Sequence, residues 1–113
     1  MALINRYGLG GGFGVRTAIA ATNYTVGTNE RLLISDIMTS LDGAGGGTDI
    51  RIWLTNRTTG IDLHSIYLAA PNSVQRAFLI PIEVVGPCLV GIDELTGGVA
   101  GDASASWTGR NES

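Results

Sequence analysis

The side chains able to do chemistry are few in this chain, and they do not cluster. There is one histidine, His64, and one cysteine, Cys88. A transition-metal site needs several His, Cys or carboxylate ligands brought to one point, so this inventory argues against a dedicated zinc centre. Cys88 sits in the apolar run Pro87-Cys88-Leu89-Val90, where a cysteine behaves as a small buried hydrophobe rather than a reactive thiol. Being alone, it has no partner for an intramolecular disulfide. His64 alternates with Asp62 and Ile66 along a strand-like stretch and reads as a solvent-facing or hydrogen-bonded histidine. Asp93-Glu94, and Asp42 with Asp49, carry charge that a calcium ion would accept, but adjacent acids in loops are usually just solvated.

Longer motifs fail one by one. The glycines at 8, 10, 11, 12 and 14 do not fit G-x-G-x-x-G, and no βαβ unit surrounds them. A phosphate-binding G-x-x-x-x-G-K-[ST] loop is impossible without lysine. Gly45-Gly46-Gly47-Thr48-Asp49-Ile50 approaches a calcium-binding repeat once and defectively. Asn23-Tyr24-Thr25 and Asn56-Arg57-Thr58 match glycosylation sequons that mean little without a secretion signal. Ser, His and Asp are all present, but no nucleophile elbow supports a triad. We therefore expect no catalytic residue, no cofactor and no enzyme. One aromatic has binding chemistry: Trp53, beside Asp49, Arg51 and Thr55, would serve as a stacking platform for a sugar ring. It suits an interface or a second core layer equally well.

The elements that must position these residues are strands. Thr48 to Thr55 puts Ile50, Ile52 and Leu54 on one face, with Asp49, Arg51, Trp53 and Thr55 on the other. Asn56-Arg57-Thr58-Thr59-Gly60 supplies turn chemistry, and Ile61 to Leu68 returns. Period-two alternation on both sides of a Gly-terminated polar loop specifies an antiparallel hairpin. Further strand-like stretches are Val15–Ala20, Asn23–Val26, Arg31–Ser40, Ser73–Ile82 with Phe78, Ile80 and Ile82 alternating, and Cys88–Ile92. Glu94 to Asp102 reads as a loop or weak strand, and Ala103–Thr108 closes with Trp107 on the side of the alanines. About eight short strands without a convincing helix predict an all-β fold, a two-layer antiparallel β-sandwich or jelly-roll-like domain.

The first fourteen residues differ from the rest. Tyr7 to Gly14 has five glycines in eight residues, a composition costly to order. Such a segment reads either as a disordered leader or, as the large apolar residues between the glycines favour, as an arm that orders against a partner. The domain reading is an N-terminal arm over 1–14, a sandwich over 15–109 and a polar tail over 110–113. Leu3, Ile4, Tyr7, Leu9 and Phe13 are the candidate partner-binding residues of the arm, and Trp53 is the candidate surface or interface aromatic.

Composition bounds the function. A chain of 113 residues with 44% hydrophobic and 15% charged residues is one domain with apolar surface left for a neighbour, which predicts a homo-oligomer. Seven arginines stand without a single lysine. Genome composition is the plainer explanation; the fit of the planar guanidinium to interfaces is the other. A net charge of −3 with scattered arginines argues against a nucleic-acid-binding protein, which should show a basic patch. No apolar run approaches the ~20 residues of a membrane span. Met1 to Arg6 lacks a signal-peptide pattern, which predicts synthesis without secretion.

The order of these features, a glycine-rich start, a short-strand sandwich, then an alternating Ser/Ala/Trp strand and a polar end, resembles small virion proteins of tailed bacteriophages, in particular the capsid decoration or cement proteins. Leu68-Ala69-Ala70-Pro71-Asn72-Ser73 to Phe78-Leu79-Ile80-Pro81-Ile82, then Gly86-Pro87-Cys88-Leu89-Val90, looks like the middle strands of such modules. The likeness spans nearly the whole chain as a pattern and carries over no residue by position. It implies synthesis in the host cytoplasm, a symmetric oligomer (a trimer in the first instance), and adhesion to the major capsid protein on the outer surface of the shell. The other readings are a tail, neck or head-fibre attachment module, and a carbohydrate-binding β-sandwich.

Overall fold

The structure is a computed structural model that describes residues 2–10, 14–41, 49–69, 72–96 and 103–112. Eight strands follow one another: β1 (Ala2–Leu9), β2 (Thr17–Val26), β3 (Arg31–Leu41), β4 (Asp49–Asn56), β5 (Ile61–Ala69), β6 (Asn72–Val85), β7 (Cys88–Thr96) and β8 (Ala103–Glu112). They form two four-stranded sheets, ordered β1-β8-β3-β6 and β2-β7-β4-β5. Every pairing is antiparallel. The partners are nested: β4 with β5, β3 with β6, β2 with β7, β1 with β8. A long hairpin rolled up on itself gives this order, which is the jelly roll.

The two sheets close on a continuous core. Ile19, Val26, Leu32, Ile34, Ile37, Ile50, Ile52, Leu54, Ile66, Val84, Cys88, Val90, Ile92, Ala105 and Trp107 form one buried cluster. Each such Ile, Leu or Val contributes about 1.5–3 kcal/mol by leaving water. The alternation of β4 reads through: Ile50, Ile52 and Leu54 are buried while Arg51 is exposed. The hairpin turn closes with Gly60 at φ 77°, a left-handed conformation that glycine adopts without steric cost. Asn56 Oδ1 accepts from the Thr58 and Thr59 amides at 3.1 and 3.2 Å, the side-chain turn asparagine favours.

Three sequence expectations are corrected here. Residues 2–9 are not an arm but the edge strand β1, paired along its length with β8 from Ala2↔Asn111 to Leu9↔Ser104. Ordering glycine is costly, but the ladder hydrogen bonds and the packing of Ile4 on the core offset that cost. The expected tail is likewise absorbed, since β8 runs to Glu112. β7 extends to Thr96, so of the loop or weak strand expected from Glu94 on, Glu94 to Thr96 are strand, and Glu94, expected with Asp93 as a solvated acid, is buried.

Two wide bulges shape the edges. In β2, residues 20–23 oppose Gly91 alone, between the pairs Ile19↔Ile92 and Tyr24↔Val90. In β6, residues 78–81 oppose Ser35 alone, between Ile34↔Ile82 and Asp36↔Ala77. Bulges of this kind re-aim side chains and end regular pairing. Cys88 is buried as expected, and burial raises its thiol pKa.

Candidate functional site

Two surfaces carry unusual side chains. One lies on the outer face of β2-β7-β4-β5, around Trp53. Its register neighbours are Ser65 on β5 and Asp93 on β7. Arg16, from the segment before β2, lays its guanidinium over the indole, 4.2 Å from the ring centroid. That guanidinium grips Asp62 with two nitrogens, at 2.6 and 3.2 Å, and Asp93 Oδ2 with its Nε at 2.8 Å. Thr55 Oγ1 lies 2.9 Å from Asp62 Oδ1. The hydrogen bond from Arg16, ahead of the one from Thr55, holds the Asp62 carboxyl below its ordinary pKa. Asp62 in turn raises the pKa of Arg16.

Arg57 extends the network from the hairpin turn. It donates to Asn23 Oδ1 at 2.7 Å and to the Ile92 carbonyl at 3.0 Å, and it pairs with Asp93 Oδ1. Gly91 makes this crossing possible: a Cβ there would sit 2.2 Å from Asn23 Oδ1 and 2.6 Å from an Arg57 nitrogen. The planar fork of arginine holds its donors in fixed directions and so satisfies several separate acceptors with one rigid group.

Beside the indole is an open depression of about 420 Å³ lined by Trp53, Asp62, Leu63, His64 and Ser65. His64 lines it from β5, but its ring, opposite the buried Leu54 in register, turns to the core side and packs edge-on against Phe78 of β6 with ring centroids 5.0 Å apart. An Arg76 nitrogen is 3.4 Å from His64 Nε2. A guanidinium only donates, so Nε2 accepts and the ring proton belongs on Nδ1. Burial, then the charge of Arg76, lowers the pKa of His64, and the ring is neutral near pH 7.

The second surface is the β6 bulge. Leu79 is 100% exposed and Ile80 is 84% exposed, and Pro81 follows them on this edge strand. Phe78 and Ile82 to either side pack on the core. The strand thus holds two large apolar side chains out in water from a fixed base.

The residues singled out from sequence fall on different surfaces. Leu3, Tyr7 and Leu9 point outward from β1, and Ile4 packs inward. Phe13 lies outside the described residues. Trp53 is half-buried on the outer face with one ring side taken by Arg16. Its expected flank changes: Thr55 is buried, and Arg51 lies over Tyr67 at 5.3 Å. The side chain of Asp49, like all of Asp42, lies outside the described residues. Among the described residues no three His, Cys, Asp or Glu side chains converge to hold a metal ion.

Sequence reasoning missed Arg16, Asp62 and the Leu79–Ile80 pair, and it singled out Asp93 for a cation rather than for the arginines it pairs with. The ion-pair partners lie 46 and 77 positions from Arg16, beyond any local pattern. Pro81 was the available signal for the bulge, because proline within a strand marks an edge or an irregularity.

No protein-family model matches the sequence, and no curated protein matches it. Solved structures with some likeness include the core of Drosophila NLP, described in terms of pentamer formation and histone binding, at 9% identity over all of both chains with a TM-score of 0.47. VP2 in the infectious bursal disease virus subviral particle is 16% identical over 97% of this chain, with a TM-score of 0.37. The T13 particle of the same virus gives 11% identity over 96% of this chain, with a TM-score of 0.42. The chain spans about a third of the length of the two viral chains, 32% and 30%. The class of fold, an eight-stranded jelly roll, rests on this chain's own strand pairing.

Proposed function

We propose that this chain is a structural, non-enzymatic virion protein of the decoration or cement type, bound to the outer surface of an icosahedral head. One observation carries the reading: the β6 bulge presents Leu79 and Ile80 to water from a rigid edge strand. Large apolar side chains held out in this way destabilise nothing and stabilise nothing in a lone domain; they suit a partner's pocket. The partner in this reading is the major capsid protein, with the chain arranged as a homo-oligomer, a trimer in the first instance. The outward Leu3, Tyr7 and Leu9 of β1 and Met38 of β3 give the copies apolar surface to share. The mechanism is mass action: a ligand that binds only the assembled shell stabilises it against rupture. The pattern resemblance to small phage virion proteins supports the same assignment, with synthesis in the host cytoplasm.

The test is quantitative mass spectrometry and electron cryo-microscopy of particles purified from the natural source, followed by rebinding of Leu79→Asp and Ile80→Asp chains to stripped particles. The expected result is a fixed copy number on the head and loss of rebinding by both variants. Density confined to the tail, neck or head fibres assigns the attachment-module role instead. Absence from particles overturns the reading.

A further inference from the structure

The attachment proposed above makes no use of the depression beside Trp53, whose lining is specific enough to name a ligand class. We propose that the depression binds a neutral pyranose sugar, the ring's C–H face against the indole and its hydroxyls on Asp62 and Ser65. The site lies on a different sheet from the β6 bulge, and the inference does not depend on the virion reading.

Four observations lead there. First, Trp53 is held in place: Arg16 lies over the ring at 4.2 Å and is itself clamped by Asp62 and Asp93. A platform fixed before binding loses little freedom when a ligand stacks on it. Second, the depression is open, about 420 Å³, and three of its five lining residues are polar. That suits a hydrated ring lying on a surface rather than an apolar ligand, which requires enclosure. Third, the polar groups have complementary roles. Asp62 offers the acceptor lone pairs left beside its bonds to Arg16 and Thr55, and Ser65, opposite Trp53 in register, both donates and accepts. Fourth, charge selects against anions. Arg16, over the indole, is engaged by Asp62 and Asp93, Arg57 is engaged by Asp93 and Asn23, and the one charged group lining the depression is the Asp62 carboxylate. A phosphate or sialic acid would meet that carboxylate; a neutral hexose would not be repelled.

The chain contains its own control, since it has two tryptophans. Trp107 is buried, its Nε1–H bonded to the Thr22 carbonyl at 2.8 Å, so its indole resonance is blind to a surface ligand. The experiment titrates the ¹⁵N-labelled full chain with methyl glycosides of glucose, galactose, mannose and N-acetylglucosamine, and separately with adenosine monophosphate and inorganic phosphate. The expected result is a saturable shift of the Trp53 indole peak with at least one glycoside at millimolar concentration, with the Trp107 peak still. Ser65→Arg, which fills the depression from an exposed position, should weaken that binding by about tenfold or more, equivalent to 1.4 kcal/mol. Asp62→Asn should weaken it too, with an unmoved Trp107 peak reporting an intact fold. No saturable shift with any glycoside overturns the proposal. So does unchanged affinity in both variants, or tighter binding of adenosine monophosphate than of every glycoside.

Discussion

Trp107 on β8 donates its indole N–H to the main-chain carbonyl of Thr22 on β2, at 2.8 Å, and so ties one sheet to the other through the core. Both residues are fully buried. Thr22 sits in the β2 bulge, where the regular ladder to β7 lapses. Its hydroxyl replaces the missing ladder bonds by accepting from the Ile92 amide at 2.8 Å and donating to the Ile19 carbonyl at 2.6 Å. Tyr24 meets the same indole edge-on, with centroids 5.9 Å apart.

Thr22→Val keeps the shape and removes the hydroxyl, leaving two buried backbone groups without a partner. We expect a loss of about 1–3 kcal/mol, read as a lower urea midpoint at constant m-value. Thr25→Val, on an exposed position of the same strand, is the control and should change stability by about 0.5 kcal/mol at most.

Ile52→Ala should cost about 2–5 kcal/mol as a large-to-small change in the packed core. Arg51→Ala, one residue away and exposed, loses a surface contact with Tyr67 and should cost well under that. Thermal or chemical unfolding of the pair checks the inward face of β4 directly, and a reversed order would contradict it.

Removing residues 2–9 should impair folding of the domain itself. The deletion strips the ladder from one side of β8, uncovers the core where Ile4 packs, and removes Arg6, which lies over Tyr24 at 5.4 Å. The expected readout is a markedly lower melting temperature or loss of cooperative unfolding. A truncated chain as stable as the full one would restore the arm interpretation.

Acid should weaken the fold at its β5–β6 edge first. His64 has its pKa lowered in the folded state, so it stays neutral there while the unfolded chain accepts a proton. Its stabilising contribution is complete above the ordinary value of 6.5 and is lost as pH falls through that value toward the folded one. Asp62, also lowered, contributes above its ordinary 3.8 and loses that contribution only in stronger acid. Denaturation midpoints should therefore decline in two stages on acidification. His64→Gln, which cannot titrate, should abolish the first stage and leave the second.

The parts of the fold that were legible are those where one period held. Ile50, Ile52 and Leu54 alternate without interruption, and so do Ala105 and Trp107, and all five are buried. Legibility failed where the period breaks. Ile80 shares parity with Phe78 and Ile82, which pack on the core, but the bulge of residues 78–81 turns it out. β1 was unreadable for a different reason. Its inward side offers Ile4 and Gly8, while its larger residues Leu3, Tyr7 and Leu9 face outward, so hydrophobicity marks the wrong face. At the candidate site, Trp53 was visible as an outward aromatic on an otherwise polar face. Its partner Arg16 was not, because only the rolled topology brings β2, β5 and β7 under one guanidinium.

The nesting of the strands also sets an order of completion as the chain is made. All members of β2-β7-β4-β5 exist once Thr96 has been synthesised, but β1-β8-β3-β6 has an empty place in its middle until residues 103–112 arrive. During that interval β3 has an unpaired backbone edge, and β1, whose ladder is to β8, has no strand to pair with. Both ladders can be made by β8 of the same chain or by β8 of a neighbouring copy, since the bonds are the same. Exchange of this last strand between nascent chains is therefore the built-in route to misassembly, and local concentration at the site of synthesis decides how often it is taken.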